Sequence, residues 1–279
     1  MSTGNFRRRV VSDQLQQTLL DGTDLAPFGR VVTAHAGGRT LADVPIDQLL
    51  ATTLAAKVLV LRGFDLLDKT DLEAYCMAAG ELVQWEFGTI LDLVVQENPQ
   101  NYLFDSGDVP FHWDGAWSER APRFFLFQCV QGCAPGAGGE TVFCDSTQVY
   151  REAPEELREL WARTSVTYRT DRLAHYGGTM TQPLLDTHPT TGETTIRYAE
   201  PLDPARYRNP LFLTVEGLGA DDAVRVMDDL RDRLHDPRYC YDHAWQTGDI
   251  VVAENHALLH GRNRFLGSTA RHMQRIQII

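Results

Sequence analysis

The sequence predicts a mainly β domain with flanking helices, an α+β arrangement of the sandwich or jelly-roll kind. Three observations predict it. Short apolar, β-branched and aromatic runs recur between Gly/Pro-rich turns at 123–130 (RFFLFQCV), 140–146 (ETVFCDS), 194–200 (TTIRYAE), 211–217 (LFLTVEG), 249–261 (DIVVAENHALLHG) and 271–279 (RHMQRIQII), as expected of strands. Helical patterns at 154–164 and 220–236 interrupt them. No repeat, low-complexity tract or linker divides the 279 residues, so 1–279 is read as one domain.

Taken from the N-terminus, DVPIDQLLATTLAAKV (43–58) reads as a helix leading into VLVLRGF (58–64). The unbroken apolar run marks a buried strand. TDLEAYCMAAG opens with Thr70 and Glu73 at capping-box spacing, carries apolar residues at helical intervals and stops at Gly80. In 220–236, Ala223, Val224, Val226, Met227, Leu230 and Leu234 form one stripe, so the charges between them are a solvated face.

Composition narrows the function. A chain 43% hydrophobic and 23% charged can build an ordinary core. Its net charge of −12 repels nucleic acid and anionic membranes, which leaves small molecules as the expected partners. No window approaches the length of a membrane span, and MSTGNFRRRVVSDQ has a basic run without the apolar region of a signal peptide, so the expected compartment is the cytoplasm. Homo-oligomerisation is left open. The five cysteines are odd in number and scattered, and the CVQGC pair, Cys129 and Cys133, has no second pair to complete a zinc site.

The chemistry begins at VPFHWDG, 109–115. On an extended chain residues i and i+2 point to the same side, so His112 and Asp114 project together while Trp113 faces away. With 9 histidines and 38 acidic residues, about one such triplet is expected by chance, so a third ligand is needed. Among His35, His175, His188, His235, His243, His256, His260 and His272, the one that stands out is His260. It ends a β-rich run that can lie across a barrel from the His112 strand. Two histidines and a carboxylate on one side of a metal, with open positions opposite, is the arrangement used for non-haem Fe(II) that must bind oxygen and an organic ligand.

Arg271 follows His260 in the run HGRNRFLGSTARHMQR, and Arg275 comes four residues later. If 271–279 is a strand, Arg271, Met273 and Arg275 share a face and two guanidinium groups enter one cavity. Buried arginines need anions, and a planar fork suits a carboxylate. The plainer reading is a pair of arginines salt-bridged to some of the acidic residues.

FHWDG, GGETVF with its Thr141, GDIVVAENHALLHGRNRF and RHMQR occur in this order from about residue 57 to the end, and the set resembles the taurine dioxygenase (TauD/TfdA-like) superfamily of Fe(II)- and 2-oxoglutarate-dependent oxygenases. The resemblance implies a double-stranded β-helix and an iron held by His112, Asp114 and His260. It further implies dioxygen and 2-oxoglutarate as cosubstrates, the distal carboxylate of 2-oxoglutarate being gripped by Arg271 and the Thr141 hydroxyl. Arg275 matches a position that in taurine dioxygenase itself binds the anionic group of the substrate. The stretch 82–115 is also similar to isonitrile-associated oxygenases of specialised metabolism, which desaturate or hydroxylate an isonitrile derivative of tyrosine. Asp114 argues against a halogenase, which leaves that position vacant for chloride.

These residues imply hydrogen abstraction from a small, anionic, amino-acid-derived substrate. Trp113 and Tyr102, with Trp85, Phe87 and Phe104, are candidate substrate walls, although each taken alone is more simply a core residue. Two rivals stand: a hydroxylase of a free amino acid or sulfonate, and a non-catalytic β-barrel that binds an anion.

Overall fold

The run Val58–Leu61 is buried along its whole length, which requires cover on both faces of its strand. The computed structural model describes residues 20–34, 38–99, 101–118, 120–173, 176–266 and 270–279. His35, His175 and the basic N-terminal stretch lie outside the described residues.

In chain order, β1 (Thr23–Asp24) and β2 (Arg30–Thr33) precede α1 (Ile46–Ala56) and β3 (Val58–Arg62). The helix read over 43–58 is shorter than expected because Lys57 adopts φ 66° and turns the chain directly into β3. Helix α2 (Lys69–Met77) begins before the expected cap: the Asp68 carboxylate accepts the Asp71 N–H, while Glu73 accepts the Thr89 hydroxyl instead of closing a capping box. There follow β4 (Ile90–Val94), β5 (Val109–His112), β6 (Phe124–Gln131), β7 (Thr141–Asp145), α3 (Ser146–Glu152) and α4 (Glu155–Arg163). Next come β8 (Ser165–Leu173), β9 (Tyr176–Pro183), β10 (Leu185–Thr187), β11 (Thr194–Ile196), β12 (Phe212–Glu216) and α5 (Ala220–Leu234). The last strands are β13 (Cys240–His243), β14 (Ile250–Glu254), β15 (Leu258–Arg262) and β16 (His272–Ile278).

A seven-stranded sheet, β1-β2-β3-β14-β6-β16-β4, faces a four-stranded sheet, β13-β7-β15-β5. Alternation along the strands sorts side chains between the layers. Val58, Val60, Phe125, Phe127, Val251 and Met273 point inward to meet Phe143 and Leu258 of the smaller sheet. Leu59, Leu61, Leu126, Ile250, Val252 and Ile276 point outward and are covered by Leu49 of α1 and Leu72 and Cys76 of α2. Behind the smaller sheet, Cys144 and Leu259 pack against Val149, Leu160, Trp161, Val226 and Leu230 from α3, α4 and α5. Among the described residues no helix is long and apolar enough to cross a membrane.

The run 249–261 is not one strand. The Glu254 carboxylate accepts the backbone N–H groups of His256 and Ala257, which turns the chain between β14 and β15 and moves it from the larger sheet to the smaller. That transfer carries His260 to the side of His112.

Candidate active site

β15 and β5 are antiparallel neighbours, and His260 lies directly opposite His112. The two imidazole rings are 4.3 Å apart between centroids. Asp114, just past the end of β5, turns Oδ1 toward both, 3.8 Å from Nε2 of His112 and 3.9 Å from Nε2 of His260. One ligand atom from each residue falls within 4.8 Å of the other two, and no other such trio of His, Cys, Asp or Glu occurs among the described residues. Nδ1–H of His112 donates to the Pro110 carbonyl at 3.0 Å, which leaves the Nε2 lone pair facing Asp114. His260 is packed on Phe125 at 4.6 Å.

Burial pushes His260 down to about 3, with the neighbouring His112 acting in the same direction. Burial likewise lowers His112. For Asp114 burial opposes ionisation, yet the charges of Arg275, His260 and His112 and the Gln277 hydrogen bond bring it below the usual carboxylate range. Neutral imidazoles beside an ionised carboxylate are the protonation states that a divalent cation requires. The donor set fits Fe(II).

Asp114 is itself held. Its Oδ2 accepts Gln277 Nε2–H at 2.6 Å and Arg275 Nη1–H at 3.1 Å. Its backbone is fixed by buried Asn255, whose Oδ1 accepts the Asp114 N–H at 3.0 Å and whose amide donates to the Asp114 and Pro122 carbonyls. Neither Gln277 nor Asn255 was singled out in the sequence. The period of two along β16 that pairs Arg275 with Met273 continues to Gln277, and that was the available signal.

Arg271 and Arg275 both border a narrow cavity that also includes Thr141, His112 and His260. Arg275 has a carboxylate partner, Asp114, and its Nε has none. Arg271 is buried and has no hydrogen-bond or ion-pair partner among the described residues, its guanidinium lying 5.6 Å from the Phe265 ring centroid. Arg262 also lies against that ring, 5.3 Å from its centroid, and its two Nη groups donate to the carbonyls of Leu103, Tyr102, Asp105 and Gly107, while its Nε has no partner among the described residues. Of two neighbouring buried cations, Arg271 is the one left requiring an anion. Thr141 Oγ1 accepts Trp245 Nε1–H at 3.0 Å, so its hydroxyl hydrogen is left for another acceptor, and Thr141 lines the same cavity as Arg271.

A second cavity, of about 360 Å³, shares His112 and Arg275 with the first. Trp85, Phe87, Tyr102, Phe104, Trp113 and Trp117 wall it, and His112, Asp114 and Arg275 form its floor. Trp113 is mainly a core residue, 5% exposed and edge-on to Tyr168 behind the smaller sheet, as its opposite direction to His112 demands. Tyr102 sits in the wall segment tied down by Arg262.

The glycine between His260 and Arg262 is required by close approach. A Cβ on Gly261 would lie 2.6 Å from the Val109 carbonyl oxygen, at the bulge where β15 meets β5. Gly261→Ala is therefore expected to push the two histidine strands apart, lowering stability by about 1–3 kcal/mol and weakening Fe(II) binding. Thermal melting and metal titration of this variant measure both effects, and an alanine protein with wild-type values in both rejects the packing argument.

A family model described as "Taurine catabolism dioxygenase TauD, TfdA family" matches residues 21–277. The chain belongs to that family. Within it, the chain is 43% identical to 3-((Z)-2-isocyanoethenyl)-1H-indole synthase of Fischerella ambigua, over 97% of this chain and 100% of the relative. It is 35% identical to tyrosine isonitrile desaturase of Erwinia amylovora, over 93% of each chain. Its fold is similar to that of PvcB from Pseudomonas aeruginosa, described as an Fe, alpha-ketoglutarate dependent oxygenase from an isonitrile synthetic pathway, with a TM-score of 0.76 and 30% identity over 92% of this chain and 90% of that one. This TauD-family chain is an Fe(II)- and 2-oxoglutarate-dependent oxygenase with a double-stranded β-helix fold.

Proposed function

We propose that this oxygenase acts on an isonitrile-bearing carboxylate derived from an aromatic amino acid, with the indole compound from tryptophan as first choice and the phenol from tyrosine as second. The observation that carries the reading is the aromatic cavity beside the metal ligands. Its volume of about 360 Å³ lies in the range of about 300–1,000 Å³ used by small-molecule sites, and rings of Trp85, Phe104 and Trp117 suit a flat aromatic guest. The relatives named for an indole isonitrile and for tyrosine isonitrile support the same class.

His112, Asp114 and His260 hold the metal, and Arg271 with the Thr141 hydroxyl takes the distal carboxylate of 2-oxoglutarate. The bound iron, with 2-oxoglutarate and dioxygen, supplies the oxidant for breaking a substrate C–H bond. Arg275 keeps Nη1 on Asp114 and turns its remaining edge, including the unpartnered Nε, to the carboxylate of the substrate. The aromatic walls orient the reacting carbon over the metal and exclude water.

The test is aerobic turnover with Fe(II), 2-oxoglutarate and ascorbate, offering the isonitrile acids of tryptophan and tyrosine, free amino acids and taurine in parallel. Succinate formation coupled to an alkene from an isonitrile acid is the expected result, with hydroxylation distinguished by mass. Coupled turnover of taurine or a free amino acid alone would replace this reading with the hydroxylase one, and no succinate from any of them would reject the proposed substrate class.

A further inference from the structure

Gln277 lies in none of the motifs that mark the family resemblance and lines neither cavity, yet it makes the shortest hydrogen bond to the metal-facing carboxylate. It is 3% exposed, near the end of β16. Its Oε1 is buried without a partner among the described residues, a state that costs stability compared with an apolar side chain of the same shape. The one hydrogen bond this side chain makes among the described residues goes to Oδ2 of Asp114.

The two oxygens of Asp114 share Arg275 Nη1 and differ in their other neighbours. Oδ1 faces both imidazoles, at 3.8 and 3.9 Å from their Nε2 atoms, with Arg275 Nη1 at 3.4 Å. Oδ2 faces away, 2.6 Å from Gln277 Nε2 and 3.1 Å from Arg275 Nη1. Arg275 also floors the substrate cavity, so it is shared between Asp114 and a substrate carboxylate. Gln277 is outside that cavity and neutral: it fixes the carboxylate without reducing its charge.

We propose that Gln277 is a positioning residue that keeps Asp114 a one-oxygen ligand, presenting Oδ1 to the metal whether or not substrate engages Arg275. The inference rests on the reading of His112, Asp114 and His260 as the metal ligands. A one-oxygen carboxylate leaves one more coordination position for an exogenous ligand than a two-oxygen one.

The test is binding of Mn(II) alone, followed by electron paramagnetic resonance, to wild-type protein, Gln277→Met, Gln277→Leu and His260→Ala. Methionine matches the length of glutamine without its N–H donor. The expected result is Mn(II) affinity about 10–100-fold weaker in both Gln277 variants, the usual consequence of losing a partner that orients a ligand, in a metal-free protein that still folds because Arg275 keeps its contact with Asp114. A Gln277 variant that binds Mn(II) as wild type does, while His260→Ala does not, overturns the proposal and leaves the ligand assignment standing. Tight binding by His260→Ala overturns the ligand assignment and the proposal with it. The wild-type protein gives a reading that needs no variant: the infrared difference on adding Zn(II) to protein labelled with ¹³C-aspartate. Widely separated carboxylate stretches are expected for one-oxygen coordination, and a narrow pair overturns the proposal.

Discussion

Asp114→Ala and His260→Ala are each expected to abolish the weak visible charge-transfer band that forms when Fe(II) and 2-oxoglutarate are added anaerobically, because each removes one of the three proposed protein ligands. The two variants should differ in stability. Asp114 is the only carboxylate paired with Arg275 among the described residues, and breaking a buried pair from one side costs about 3–5 kcal/mol. His260→Ala leaves that pair intact, so its metal-free protein should melt above that of Asp114→Ala. A wild-type band in folded Asp114→Ala would remove that residue from the ligand set.

Arg271→Gln is expected to raise the 2-oxoglutarate requirement steeply. Losing a charged partner from a buried contact costs about 2–5 kcal/mol, which at the low end is about 30-fold in affinity. The metal-free protein should nevertheless be as stable as wild type or more so, because the guanidinium has no partner there to lose. Titration of the charge-transfer band with 2-oxoglutarate and a thermal melt read the two halves separately. Arg275→Gln is the control: 2-oxoglutarate should still bind, while succinate formation becomes partly uncoupled from product. If Arg275→Gln changes only the 2-oxoglutarate dependence, the division between the two arginines is wrong.

The grouping of His112, Asp114 and His260 was legible because an i, i+2 pair needs only local geometry, and one further histidine ended a strand-like run. The jelly roll was legible for a related reason: a run such as Val58–Leu61, buried on both faces, leaves few alternatives. Chemistry made by distant partners was not. An amide such as Gln277 or Asn255 acquires meaning from the group it faces, 163 and 141 residues away along the chain. Trp245, which orients Thr141, is hidden in the same way. The hairpin of β8 and β9 has a weak signature because SVTYRTDRL and YGGTMTQP are largely polar and the second carries two glycines, so apolar alternation is weak there. The break inside 249–261 depends on a single glutamate capping two backbone amides, a contact with no periodic signature.

The facing of His112 and His260 across one strand ladder has a consequence for cellular metal supply. Backbone hydrogen bonds set the spacing of the imidazoles, so the donor set is assembled before any cation arrives and does not fold around a particular one. For nitrogen and oxygen ligands of this kind, intrinsic affinity rises from Fe(II) through Ni(II) to Cu(II), and Zn(II) also competes. Discrimination among them therefore falls to availability. Protein recovered from cells rich in zinc or copper is expected to hold the wrong ion, tightly and without turnover, until a chelator strips it and ferrous iron is restored.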